Sequence, residues 1–242
     1  MQYLSNLIGE YFQLAVDGGY FGYLLFMLPV IILSAIASSA VNSNYKKYAK
    51  VMSRRGITGG QIAELILQQN GIYDVRVKPI SGNLTDHYHP KEKYIGLSEG
   101  VYNSTSVAAL GIAAHEAGHA VQHNVGYAPI RFRSAILPIA NIASYASWII
   151  ILIGLLISPA IAVAGLVLFG FVVLFQLVTL PVEFDASRRA LAVLNAGYLD
   201  RDEMEGARKV LKAAAMTYVV ALLTSLWQML RLVLLVFGNR RD

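Results

Sequence analysis

Ser134-Ala-Ile-Leu-Pro-Ile-Ala-Asn-Ile-Ala-Ser-Tyr-Ala-Ser-Trp-Ile-Ile-Ile-Leu-Ile-Gly-Leu-Leu-Ile-Ser-Pro159 opens a run of 49 residues, ending at Val182, without one charged side chain. A helix crosses the hydrocarbon of a bilayer with ~20 apolar residues, so the run is long enough for two spans and a tight turn. Ser158-Pro159 is the natural turn, which puts one span near 135–157 and another near 160–181. A single long core helix of a soluble protein is the alternative. Apolarity that continues without interruption argues against it.

Working outward, Gly19 to Val41 is a second uncharged stretch of spanning length, and Ala213 to Leu230 is another, with Arg231 near its end where it can snorkel. The first positive charge is Lys46, so the chain lacks the basic n-region of a secretory signal, although Ala35-Ile36-Ala37 resembles a cleavage site. The reading is a retained first span. Apolar residues make up 56% of the chain and charged ones 14%, as expected of a membrane protein. Of the 20 Lys and Arg residues, eleven lie in 42–133 and six in 182–212, while the 158–159 turn has none. The positive-inside rule places both basic segments in the cytoplasm. The net charge of +5 is thereby explained by topology, and no nucleic-acid partner is expected.

Five divisions follow: an N-terminal segment with the first span (1–45), a cytoplasmic polar domain (46–133), a transmembrane hairpin (134–182), a second cytoplasmic segment (183–212), and a last span with its tail (213–242). The expected fold is a mainly α integral membrane protein, with about four transmembrane helices and a cytoplasmic α+β domain.

Within the first polar segment, Thr58-Gly-Gly-Gln61 forms a capping box before a helix with Ile62, Leu65 and Ile66 inward, closed by Asn70-Gly71. Val75 to Lys78 and Tyr94 to Leu97 read as short strands, and Asn83 to Pro90 as a polar loop carrying His87 and His89. Ser104, Thr105 and Ser106 offer caps for an alanine-rich helix from Val107 to Val121, ended by Gly126 and Pro129. That helix contains Ala114-His-Glu-Ala-Gly-His-Ala120. His115 and His119 are four apart and share one helix face, where both imidazoles can reach one cation. Glu116 lies beside them as a general base for a bound water, the H-E-x-x-H pattern of zinc hydrolases. His123 continues the row, but stands about two turns (~12 Å) from His115 and cannot easily share their ion.

With no cysteine in the chain, zinc must be held by His, Asp or Glu. A catalytic zinc takes three protein ligands and leaves one position open. Glu183 begins the only other polar segment, in the same compartment as the histidine pair, and is the leading candidate for third ligand. Asp185 is its rival, since helical spacing lets only one of the two face inward. Zn2+ would then activate water, Glu116 would take and return its proton, and Arg188, His87, Tyr88 or His89 would steady the oxyanion.

Three separated stretches, Asn83-Leu-Thr-Asp-His-Tyr-His-Pro90, Ala113-Ala-His-Glu-Ala-Gly-His-Ala120 and Leu180-Pro-Val-Glu-Phe-Asp-Ala-Ser-Arg-Arg-Ala190, resemble the YugP-like family of bacterial membrane zinc metallopeptidases. The likeness runs from about Lys46 to Lys212. More distantly the chain resembles the HtpX-like and CaaX prenyl protease families, whose third-ligand segment reads Glu-Phe-x-Ala-Asp-x-x-Ala and whose glutamate maps onto Glu183. Ser187 stands where those families carry aspartate, so a contact to a zinc-binding histidine is expected to be missing or supplied by Asp185.

The resemblance implies a peptidase whose substrates are largely undefined. Joined to the charge topology, the leading reading is a multi-pass zinc endopeptidase of the inner (plasma) membrane, its zinc held in a cytoplasm-facing zincin-like α+β domain (46–133), with protein or peptide substrates and the lipid bilayer as partners. The alternatives are a non-catalytic scaffold or adaptor that keeps a structural zinc, and a hydrolase of some other amide. Glu116 separates scaffold from enzyme, because a structural site has no use for a base. The short chain between His119 and Ser134 keeps the zinc within roughly 10–25 Å of the bilayer, at ~1.5 Å per helical residue. No Asp, Glu or His occurs in 135–181, so cleavage is expected outside the hydrocarbon. Reporter fusions at Gly82 and Asn195 should both read as cytoplasmic and one at Ser158 as external. An external signal at Gly82 would revive the cleaved-signal alternative.

Overall fold

The computed structural model describes residues 6, 9–13 and 18–238. The rest of the N-terminal segment and the tail with Arg240 and Arg241 lie outside the described residues. In chain order the elements are α1 (Gly19–Tyr48), α2 (Gly59–Gln69), β1 (Arg76–Ile80), β2 (His87–His89), β3 (Tyr94–Ser98), the single turn α3 (Glu99–Tyr102), α4 (Val107–Asn124), α5 (Ala128–Ile157), α6 (Pro159–Val193) and α7 (Arg201–Gly238). The fold is mainly helical, and α1, α5, α6 and α7 are long and apolar enough to cross a membrane. Ser158 alone separates α5 from α6, with its carbonyl accepting from the amides of Ile161 and Ala162 and Pro159 in the first turn.

The contacts divide the chain into two compact units. One takes its residues from before Ile36, from Arg133–Val178 and from Val219 onward. There α5 and α6 meet through Ile151, Ala162, Leu166 and Phe169, joined by Leu232 and Val236 of α7. Phe26 stacks on Trp227, whose indole N–H donates to the Phe26 carbonyl at 2.8 Å.

The other unit, Ala37–Phe132 with Thr179–Tyr218, is built around α4. Ser106 caps α4 by accepting from the Ala109 amide, and Ala108, Leu110, Ala113, Ala114 and Ala117 are fully buried along it. Small side chains on most faces let neighbours close in on all of them. Helix α2 keeps its capping box: Thr58 Oγ1 accepts from the Gln61 amide while Gln61 accepts from the Thr58 amide. Its Ile62 and Ile66 join Ile95, Leu97, Val107, Leu110, Leu194 and Leu211 in one core. The sheet has the order β1-β3-β2, with β1 parallel and β2 antiparallel to β3, so that Ile95 pairs with Val77 on one side and Tyr88 on the other.

Four expectations need correction. The polar loop contains β2, a three-residue edge strand made by pairing to β3 rather than by its own alternation. Helix α4 runs on to Asn124 and ends in a Schellman turn: Tyr127 N–H bonds the Gln122 carbonyl, Gly126 N–H the His123 carbonyl, and Gly126 takes φ +64°. Pro129 does not end it. Proline suits a first helical turn, and here it begins α5. Finally, the helix expected to stop at Lys212 and the apolar run after it are one continuous α7. No glycine, proline or cap residue interrupts the sequence between them.

Gly118, between the two motif histidines, sets how closely α6 approaches α4. A Cβ there would lie 3.0 Å from the Ala186 carbonyl oxygen and 3.4 Å from its Cα, whereas at Gly111 the nearest neighbour would be 3.8 Å away. Gly118→Val should therefore lower stability by ~1–3 kcal/mol through overpacking. Gly111→Ala should be tolerated. Thermal midpoints of the two purified variants check this, and equal midpoints would contradict it.

Candidate metal centre

His115 and His119 sit one turn apart on α4, with ring centroids 4.7 Å apart. Glu183 comes from α6, which continues through Pro181 so that the carboxylate is carried mid-helix rather than at a helix end. Its Oε2 lies 3.2 Å from His115 Nε2 and 3.5 Å from His119 Nε2. Together these three form a group whose potential ligand atoms all lie within 4.8 Å of one another. Glu183 is only 2% exposed. Burial alone would raise its pKa, but hydrogen bonds and charge from the two histidines outweigh burial and hold it well below the usual carboxylate range. For His119 burial disfavours the proton, while Glu183, Glu116 and Gln122 together raise its pKa.

The far sides of both rings are held as well. Gln122, fully buried on the same helix, donates from Nε2 to the Val182 carbonyl (2.8 Å) and to Asp185 Oδ2 (2.9 Å). Both of those partners only accept, so the amide orientation is fixed and its Oε1 faces His119 Nδ1 at 3.0 Å. His119 therefore carries a proton on Nδ1, and its Nε2 faces Glu183. On the other ring, Ser187 Oγ lies 3.2 Å from His115 Nδ1. The contact expected to be missing at Ser187 is present, with a hydroxyl in place of a carboxylate. Asp185 touches neither motif histidine in this set and reaches His119 only through Gln122.

Asp185 is nevertheless buried, at 6% exposure, so both acidic residues of α6 face inward, contrary to the expectation that only one would. Spacing alone misleads here, because Arg188 and Arg189 on the next turn bond Asp185 and make its burial affordable. Burial tends to raise the Asp185 pKa, but Arg189, Gln122 and Arg188 bring it down to about 2.

Glu116 is half-buried beside His119, close enough for its charge to act on that ring. His87 and His89 are committed to the sheet hairpin: His87 bonds the Thr85 carbonyl (2.8 Å) and the Tyr94 hydroxyl (3.1 Å), and His89 stacks on Tyr94 while accepting from the Glu92 amide. The His123 ring lies 5.5 Å from that of Tyr88. None of these histidines joins the trio. Gln122 was not singled out from sequence. An amide three residues after the second histidine, in a helix otherwise made of small apolar residues, was the available signal.

The trio's fit to zinc follows from its chemistry. Two imidazole Nε2 atoms and a carboxylate converge on one point, where they can share protons or, with those protons displaced, all donate to one cation. Tetrahedral zinc with ligands at ~2.0–2.2 Å sets its ligand atoms roughly 3.3–3.6 Å apart, close to the 3.2 and 3.5 Å found.

Comparison with known proteins agrees with this chemistry. Residues 23–237 match the family model described as "Putative neutral zinc metallopeptidase". The chain is similar to "Putative membrane protease YugP" of Bacillus subtilis (strain 168), with 43% identity over 222 residues, covering 91% of this chain and 98% of that protein. No solved structure gives a significant match.

Replacing Gln122 by Leu should weaken zinc binding about 10- to 100-fold, as loss of an orienting partner to a metal-binding histidine commonly does. Ser187→Ala should weaken it less, since His115 keeps its place on the same helix. Chelator competition reads both. Unchanged affinity in Gln122→Leu would show that His119 needs no such support.

Proposed function

This chain belongs to the YugP-like family of neutral zinc metallopeptidases, and on that footing we propose that it is a membrane-embedded zinc endopeptidase that cuts cytosolic or juxtamembrane segments of proteins. Membership itself carries zinc as the metal, a protein as substrate and association with a membrane. The finer reading is that the site is of the gluzincin type, with His115, His119 and Glu183 as ligands and Glu116 as catalytic base, in a zincin-like domain facing the cytoplasm of a plasma-membrane protein. The observation that carries it is the convergence of both Nε2 atoms on the buried Glu183 carboxylate, with both Nδ1 atoms engaged elsewhere. The division at 46–133, 134–182 and 183–212 is retained as the topological reading behind that orientation.

When bound, zinc supplies Lewis acidity and brings the pKa of its water to about 7. The remaining work falls to the chain. Gln122 and Ser187 hold the imidazoles in position, and Asp185 holds Gln122. Glu116, one residue from His115 and in no ligand role, accepts a proton from the attacking water and delivers it to the departing amine. Strand β2, at the edge of the sheet and packed against α4 through Tyr88, offers unpaired backbone groups to an extended peptide. An extended substrate is what a peptidase must bind. Arg188, exposed at the mouth of the α6 segment, remains the candidate for steadying the developing oxyanion.

Glu116 also distinguishes an enzyme from a scaffold, since a purely structural zinc has no need of a neighbouring base. Glu116→Gln should retain one zinc per chain and lose cleavage of an unfolded protein substrate by at least ~100-fold, the scale of general-base catalysis. Glu183→Ala should lose the zinc itself. Metal analysis and proteolysis on the same preparations check both. Full activity in Glu116→Gln would sink the mechanism, and full zinc in Glu183→Ala would sink the ligand assignment.

A further inference from the structure

A cavity of about 600 Å³ opens between the second half of α6 and the first half of α7, on the Ser187 side of His115 and lined by none of His115, Glu116, His119 or Glu183. Its size is in the range of ligand pockets. Its wall includes Ser187, the residue that bonds His115, and Phe184, the neighbour of Glu183. Leu191, Met204 and Leu211 give it an apolar floor.

Its charge is one-sided. Arg188, Arg208 and Lys212 line it, and no Asp or Glu does. Arg188 is answered by Asp185. Arg208 and Lys212 have no ion pair among the described residues, although Lys209 between them pairs with Glu205 and Arg54 pairs with Asp200 and Asp202. Arg208 and Lys212 stand four apart on α7, where like charges repel across one helical turn. Two exposed cations without an ion pair among the described residues, standing over an apolar floor, suit an anionic and partly apolar guest.

Resting on the peptidase reading, we propose that this trough receives a flanking segment of the substrate and selects peptides that carry a carboxylate beside an apolar side chain. The apolar side chain settles on Leu191, Met204 and Leu211, and the carboxylate meets Arg208 and Lys212 at the rim. The carboxylate comes either from an Asp or Glu side chain or from the peptide's C-terminus. Both have the same chemistry.

The test uses full-length, zinc-loaded Glu116→Gln protein in neutral detergent, so that binding is read without turnover. Fluorescent peptides differ only in a central Leu-Glu, Leu-Gln or Leu-Lys pair, each with a free or an amidated C-terminus. Anisotropy should show the Leu-Glu peptide binding about tenfold more tightly than Leu-Lys, an advantage that shrinks at high salt. The added double substitution Arg208→Glu, Lys212→Glu should reverse the order with zinc content unchanged. A preference that tracks the free C-terminus rather than the central pair assigns the carboxylate to the chain end. Equal binding of all peptides, or an order that the double substitution leaves alone, overturns the proposal. So does a double substitution that alters binding to anionic vesicles and leaves peptide preference intact, which would assign the trough to lipid. Cleavage by the otherwise wild-type enzyme is scored separately. Charge-selective binding without any cleavage would contradict the peptidase reading and leave the trough's selectivity standing.

Discussion

A carboxylate that is almost wholly out of water faces the Nε2 atoms of two imidazoles, and much of the unit built around α4 is arranged to make that tolerable. An ionised Glu183 without a cation beside it would be among the costliest groups to bury in a protein. The cost is met by geometry. Gly118 has no side chain, so α6 comes against α4 closely enough for Glu183 to reach both rings. The alanines of α4 extend the same close approach to its other neighbours. Each imidazole is fixed from behind, by Gln122 or Ser187, before any ligand arrives. Such advance fixing suits three side chains from two helices to act as one site.

The membrane-compatible part of the fold was largely legible, because the signal there is composition. A charge-free run of 49 residues with Ser-Pro at its middle leaves few alternatives to a pair of long helices. Boundaries were less legible. Proline at residue 129 reads as a stop when the preceding helix is in view and as a start when the following one is. Only the Schellman turn at Gly126 decides between them. Strand β2 was hidden for another reason: three residues carry no period, and their pairing with β3 is a tertiary fact. The unbroken course of α7 through Lys212 is not legible either, because the change there from charged to apolar composition resembles a change of element.

At the site, spacing made His115, Glu116 and His119 stand out, and compartment plus charge pointed to Glu183. The structure brings the two histidines and Glu183 together. Spacing could not assign Asp185, which is buried like Glu183 but serves a different partner, because what separates them is a contact to Gln122 across two helices. Nor could spacing show that Ser187 would do with a hydroxyl what an aspartate does in the more distant families that the sequence resembles.

Zinc K-edge X-ray absorption on the zinc-loaded, full-length protein tests the central claim most directly. Two imidazole nitrogens and one carboxylate predict a first shell of nitrogen and oxygen at ~2.0–2.2 Å, with outer-shell scattering that fits two rings. In Glu183→Gln the ring count should stay at two while the remaining first-shell intensity changes or the metal is lost. A spectrum of the unsubstituted protein that requires three imidazoles would contradict the account, because it would bring His87, His89 or His123 to the metal and displace Glu183 from it.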